Sequence, residues 1–173
     1  MHTHPDPRSD LASAPCADAE ALRLVALDAE DLAVVSAHMQ DAVVRVGDIA
    51  YLPQNRRFAL VGARFDWCAS AQSGRVERAR TGLHFECVTR AACTGIDCKQ
   101  RDLVLNILNI SFEPSDAPAG RVLITFSGGA AVRLDVECLE AQLRDLGERW
   151  KARAAPNHPL DEPAPDAARP TSG

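Results

Sequence analysis

No apolar run reaches the roughly eighteen residues that a membrane-spanning helix needs, so nothing in the chain is suited to cross a bilayer in that form. Three signatures of common chemistry are also missing: the phosphate-cradling P-loop, the glycine fingerprint for dinucleotides and the nucleophile elbow. Aromatic side chains make up only 5% of the residues, and the formal net charge is −5. Both argue against a general polyanion binder, which usually carries a basic excess and aromatic stacking platforms. There is no C-x2-C pair, so a zinc knuckle lacks its usual spacing. The start, Met1-His-Thr-His-Pro-Asp-Pro-Arg8, has neither the basic opening nor the apolar stretch of a secretory signal. Six cysteines (Cys16, Cys68, Cys87, Cys93, Cys98, Cys138) without an export signal are expected to be reduced thiols in a cytoplasmic protein.

What is present suits one packed domain. The chain has 173 residues, 46% apolar and 25% charged, which is ordinary for a globular protein. Residues 22–151 hold 16 Lys and Arg against 17 Asp and Glu, so most of the acidity lies in the ends. Residues 1–20 are rich in Pro, Ala, Ser and Asp, and residues 152–173 carry Pro156, Pro159, Pro163, Pro165 and Pro170. Such segments bury too little apolar area to offset chain entropy, so both are expected to be disordered tails around a domain at 21–151.

Leu22 to Leu27 reads as a short edge strand. Asp28 follows as a helix cap, with Glu30 and Asp31 at the positive end of the dipole. Leu27 and Leu32 have the spacing of a hydrophobic staple. Leu32, Val35, Met39 and Val43 recur at three and four, which predicts one amphipathic helix. Strands are expected over Val44–Leu52 and Arg57–Trp67, the latter with Ala59, Val61, Ala63, Phe65 and Trp67 on one face. An Arg-rich connection from about 69 to 81 comes next. Leu83, Phe85 and Cys87 then alternate with His84 and Glu86, and Asp102–Phe112 reads as a central strand. Arg121–Phe126 and Ala131–Val136 flank Gly128-Gly129, the pattern of a tight hairpin. Glu137–Leu146 reads as a closing helix, with Cys138, Leu139, Gln142, Leu143 and Leu146 on one side and Gly147 as its stop. The fold class expected is α+β: an antiparallel sheet of about five or six strands with an N-terminal and a C-terminal helix packed on it.

Three separate blocks carry a family resemblance: Tyr51-Leu-Pro-Gln-Asn-Arg-Arg-Phe58, Ile110-Ser-Phe-Glu-Pro114 and Phe126-Ser-Gly-Gly-Ala-Ala-Val-Arg-Leu-Asp-Val-Glu-Cys138. Together they resemble the small bacterial proteins designated domain of unknown function 2948, over about residues 22 to 150. The resemblance implies a single domain in a bacterial cytoplasm. It implies no activity.

Three clusters bear chemistry. His84, Cys87, Cys93 and Cys98 are four zinc-type ligands within fifteen residues, but at H-x2-C-x5-C-x4-C the spacing fits poorly, and His84 and Cys87 point to opposite faces of a strand. The plainer account is a core cysteine, a surface histidine and two loop cysteines, so neither metal nor cofactor is expected. Arg45, Arg56, Arg57 and Arg64, followed by Arg75, Arg78 and Arg80, form a second group. Within it, Asn55, Arg56 and Arg57 occupy a constrained turn after Pro53, where guanidinium forks suit carboxylates or phosphates. Interleaved Asp48, Asp66 and Glu77 leave a solvated surface as the plainer account. Asp135, Glu137 and Glu140 form the third, at a strand-to-helix junction. They suit either acid–base work or, more simply, a helix N-terminus capped by Asp135.

The function expected from these residues is a non-catalytic binding or protein-interaction module that uses Asn55, Arg56 and Arg57. Its partner is expected to be a protein or a small anionic ligand, neither a membrane nor a specific nucleic-acid sequence. The alternative is a small enzyme in which His84 works with Asp135 or Glu137.

Overall fold

The computed structural model describes residues 21–66 and 77–152. The tails at 1–20 and 153–173, and with them Cys16, as well as Trp67, Cys68 and Arg75, lie outside the described residues. Arg23–Ala26 forms the expected edge strand, β1, and Ala29–Met39 forms α1. Asp28 caps α1 as its side chain predicts, accepting a hydrogen bond from the Asp31 amide at 2.8 Å. Leu32, Val35 and Met39 are buried on one stripe of the helix. Leu27 is 64% exposed, so it makes no staple with Leu32.

Eight further strands follow: β2 (Val43–Leu52), β3 (Arg57–Phe65), β4 (Glu77–Phe85), β5 (Val88–Thr94), β6 (Val104–Pro114), β7 (Gly120–Phe126), β8 (Ala131–Val136) and β9 (Ala141–Lys151). Among the described residues the nine strands pair antiparallel in one sheet of order β1-β9-β4-β3-β2-β6-β7-β8-β5. The domain is therefore mostly sheet, with a single α-helix among the described residues. This corrects the α+β expectation of five or six strands between two helices. Of the segment expected as a C-terminal helix, residues 137–140 form a non-helical connection and residues 141–146 open β9, a strand hydrogen-bonded on both sides to β1 and β4. Its inward residues are Ala141, Leu143 and Asp145, at a period of two, while Leu146 is exposed. Gly147, at φ +89°, sits where the β4–β9 register slips, so it marks a bulge in a strand and not a helix stop. Arg78 and Arg80 lie in β4 and not in a loop, and β5 is a strand where a loop was expected.

β6 turns the corner of the sheet. Its start, Val104–Asn106, pairs with β2, and the remainder, from Ile107, pairs with β7. The two halves thereby curl around a common core. Phe58, Leu60, Leu83, Phe85 and Leu143 come from one half, and Ile107, Ile124, Phe126, Val132 and Leu134 from the other. Helix α1 packs mainly on β6 and also touches β1 and β3. Its buried Ser36 faces the irregular register between Ile107 and Asn109 and accepts a hydrogen bond from the Ile110 amide at 2.8 Å. A polar residue on the buried stripe of the helix thus satisfies a buried backbone donor of β6. The Gly128-Gly129 turn joins β7 to β8 as expected, both glycines holding φ +78°.

Candidate functional site

The strand alternation that fills the core sends the intervening residues to the outer face of β1-β9-β4-β3. Arg57, Ala59, Val61 and Ala63 point outward from β3. Arg80, Gly82 and His84 do so from β4, Gln142, Arg144 and Leu146 from β9, and Arg23 and Val25 from β1. Gly82 has no side chain, so the sheet surface is hollowed there into a trough of about 490 Å³. Val25, Ala59, Val61 and Leu146 supply its apolar walls, and Arg23, Arg144, His84 and Gln142 its polar rim. Val25 and Leu146 are half-exposed despite their size. Arg23 stands directly opposite Arg144 across the β1–β9 pair, and neither has an ion-pair partner among the described residues. Two like charges at one register position repel, and each raises the local positive potential.

The arginine turn lies at the end of this same face. Pro53–Asn55 forms one 3-10 turn, and Arg56 closes it in the left-handed region at φ 53°. Arg56 pairs with Glu137, and Arg57 with Glu86 at 2.6 Å. His84 Nε2 lies 3.4 Å from that same Glu86 carboxylate. A line of polar contacts, Arg57–Glu86–His84, therefore runs from the turn to the rim of the trough. Both arginine side chains keep about 46% of their surface exposed.

The other candidates are arranged differently from what their spacing suggests. His84 meets Glu86, whereas Asp135 pairs with Arg121 and Arg133, and Glu137 with Arg56. Asp135 caps no helix, because β9 follows. Among the described residues no group of three metal-ligating side chains converges. Cys93 and Cys98 do meet, Sγ to Sγ at 3.8 Å, but Cys87 sits beside Cys138. The hydrogen bond with Cys138, and then burial, push the Cys87 thiol up to about 11.

Arg64 leaves the surface group altogether. It is 3% exposed and forks onto Asp145, with Nε to Oδ1 at 2.9 Å and NH2 to Oδ2 at 2.7 Å. The Asp145 carboxylate also accepts from Thr81 Oγ at 2.7 Å, from the Leu22 amide and from Arg149, while Arg149 reaches Asp66 at 2.5 Å. This cluster joins β3, β4, β9 and the residue just before β1 inside the sheet. Burial alone would raise Asp145, but the Arg64 and Thr81 hydrogen bonds outweigh it and hold the carboxyl below its usual range. Burial, and then the nearby Arg64 charge, keep His38 at the end of α1 below the usual imidazole range. The carboxylate is saturated with donors, which makes the cluster a tie between strands and not an open site.

A second hollow, of about 270 Å³, lies on the far side of the β2–β3 hairpin. It is bounded by Ile49, Tyr51 and Phe58 on the hairpin and by Cys93, Ile96 and Cys98.

These features define a sheet domain with an apolar trough and a basic rim. By its sequence the chain belongs to the family described as Protein of unknown function (DUF2948), whose model matches residues 22–158. No curated protein and no solved structure matches it.

Proposed function

We propose that the domain is a non-catalytic binding module that receives an anionic, partly apolar ligand on its outer sheet face. The anion is either a carboxylate or phosphate of a small molecule, or the acidic side chains of a partner protein. The observation that carries this reading is the Arg23–Arg144 juxtaposition at the rim of an apolar trough. Unbound, that pair is repulsive; a bound anion would turn it into two charge-assisted contacts. Asn55, Arg56 and Arg57 extend the basic edge of the site, with Glu86 and Glu137 holding the forks until a stronger acceptor arrives. A cytoplasmic setting belongs to the same reading, supported by four cysteines that carry free thiols.

The test is capture of partners from native lysate by the full chain and by two variants, Arg23→Ala with Arg144→Ala, and Arg56→Ala with Arg57→Ala. Each double variant is expected to keep its unfolding midpoint and to lose at least about tenfold in capture, with elution by added salt. Capture unchanged in both would sink the proposal.

A further inference from the structure

The second hollow carries a different kind of chemistry. Cys93 stands near the end of β5, which among the described residues is paired as a strand with β8 alone, so β5 is an edge of the sheet. Cys98 belongs to the connection between β5 and β6. Gly95 turns that connection back at φ +69°, and it stays beside β2 through the Gly47 amide, which donates to the Arg101 carbonyl at 2.8 Å. Both thiols are exposed, both line the hollow, and their sulfurs already lie 3.8 Å apart. A disulfide needs about 2.05 Å, so a side-chain adjustment of less than two ångströms closes the gap. The neighbouring pair, Cys87 and Cys138, is only partly exposed and so less open to a small disulfide.

We infer that Cys93 and Cys98 form a reversible dithiol–disulfide site, oxidised by a low-molecular-weight disulfide, whose closure staples the β5–β6 connection to β5 at the edge of the hollow. The thiolate of one cysteine attacks a sulfur of the small disulfide, breaks its S–S bond and forms a mixed disulfide. The first small thiolate leaves and takes up a proton. The second cysteine, as its thiolate, attacks the protein-bound sulfur, forms the Sγ–Sγ bond and expels the second small thiol. Two electrons pass from the cysteine pair to the small disulfide, and the two thiol protons end on its products. The inference is independent of what binds the outer face, because the two sites share no residue.

Incubating the full chain with oxidised glutathione, followed by peptide mass mapping and by hydrogen exchange, tests it. The expected product is a peptide linked through Cys93 and Cys98, lighter by two hydrogens and restored by a reducing dithiol. Cys98→Ser should stop at a stable glutathione adduct on Cys93. Amides in residues 95–103 should exchange more slowly in the oxidised protein. The proposal fails if both cysteines carry glutathione without linking. It fails equally if neither reacts, or if Cys87–Cys138 or a pairing with Cys16 or Cys68 forms instead. A Cys93–Cys98 bond that leaves exchange in 95–103 unchanged overturns the staple.

Discussion

Asp145 shows how far a single side chain can be misread from its neighbours. In the sequence it sits between Arg144 and Leu146 and looks like one more surface charge. In the fold it is 4% exposed, and its partner Arg64 is 81 residues away. No local pattern reports such a pairing, because a buried ion pair is visible only once β3 and β9 are both placed around β4. Arg64 reads as one of the surface arginines for the same reason. By contrast, Asp28 was legible because a cap acts within one turn. Replacing Asp145 with Asn removes the carboxylate onto which the buried Arg64 forks and leaves it the more distant Asp66, at 3.9 Å, and should cost about 3–5 kcal/mol in urea unfolding. The sign of the pH dependence follows from the lowered carboxyl. Its stabilisation is fully present above the ordinary aspartate range and is lost as pH falls through the folded value. His38, held low, acts in the same direction, since the unfolded chain takes up its proton first as pH falls. Acid titration of the wild type should therefore show a steeper loss of stability below the ordinary carboxylate range than Asp145→Asn does. Equal slopes would show that the pair contributes little.

Elements were legible where periodicity was unambiguous. The β7–β8 hairpin combines clean alternation of Val132, Leu134 and Val136 with two glycines at the turn, and α1 has one stripe and one cap. β9 was not legible as a strand. Leu139, Leu143 and Leu146 satisfy a helical stripe as well as they satisfy anything, while the strand alternation of Ala141, Leu143 and Asp145 is disguised by the acid. Pairing on both sides decided the conformation against the local pattern. β5 is not legible as a strand, because an edge strand with exposed Thr89 and Arg90 has little apolar alternation to show. At the same scale, the junction of α1 with the β6 bulge depends on Ser36. Ser36→Ala strips the Ile110 amide of its acceptor inside the core, and should cost about 1–3 kcal/mol, more than a surface serine would. A loss within error of zero would show that the Ile110 amide finds another acceptor.

At the scale of the whole molecule, the trough exists only because of strand order. Arg23, Arg144, Gly82 and Ala59 come from four strands and meet because β9 inserts between β1 and β4. The Asn55-Arg56-Arg57 turn was legible from Pro53 and the flanking strands, but its link to the trough through Glu86 and His84 was not, since it depends on β4 lying beside β3. In the function proposed above, a ligand sits on this face, hollow at Gly82. Gly82 is the direct test. A Cβ there would make only ordinary contacts of 3.7–3.8 Å with Leu146, and the backbone is not in the left-handed region, so a side chain can be added without unfolding the sheet. Gly82→Leu should fill the trough while the unfolding midpoint stays near that of the wild type. The deciding measurement is quantitative partner capture by Gly82→Leu beside wild type at matched salt. The expected loss is about tenfold or more, equivalent to about 1.4 kcal/mol. Wild-type capture by a folded Gly82→Leu protein would contradict it.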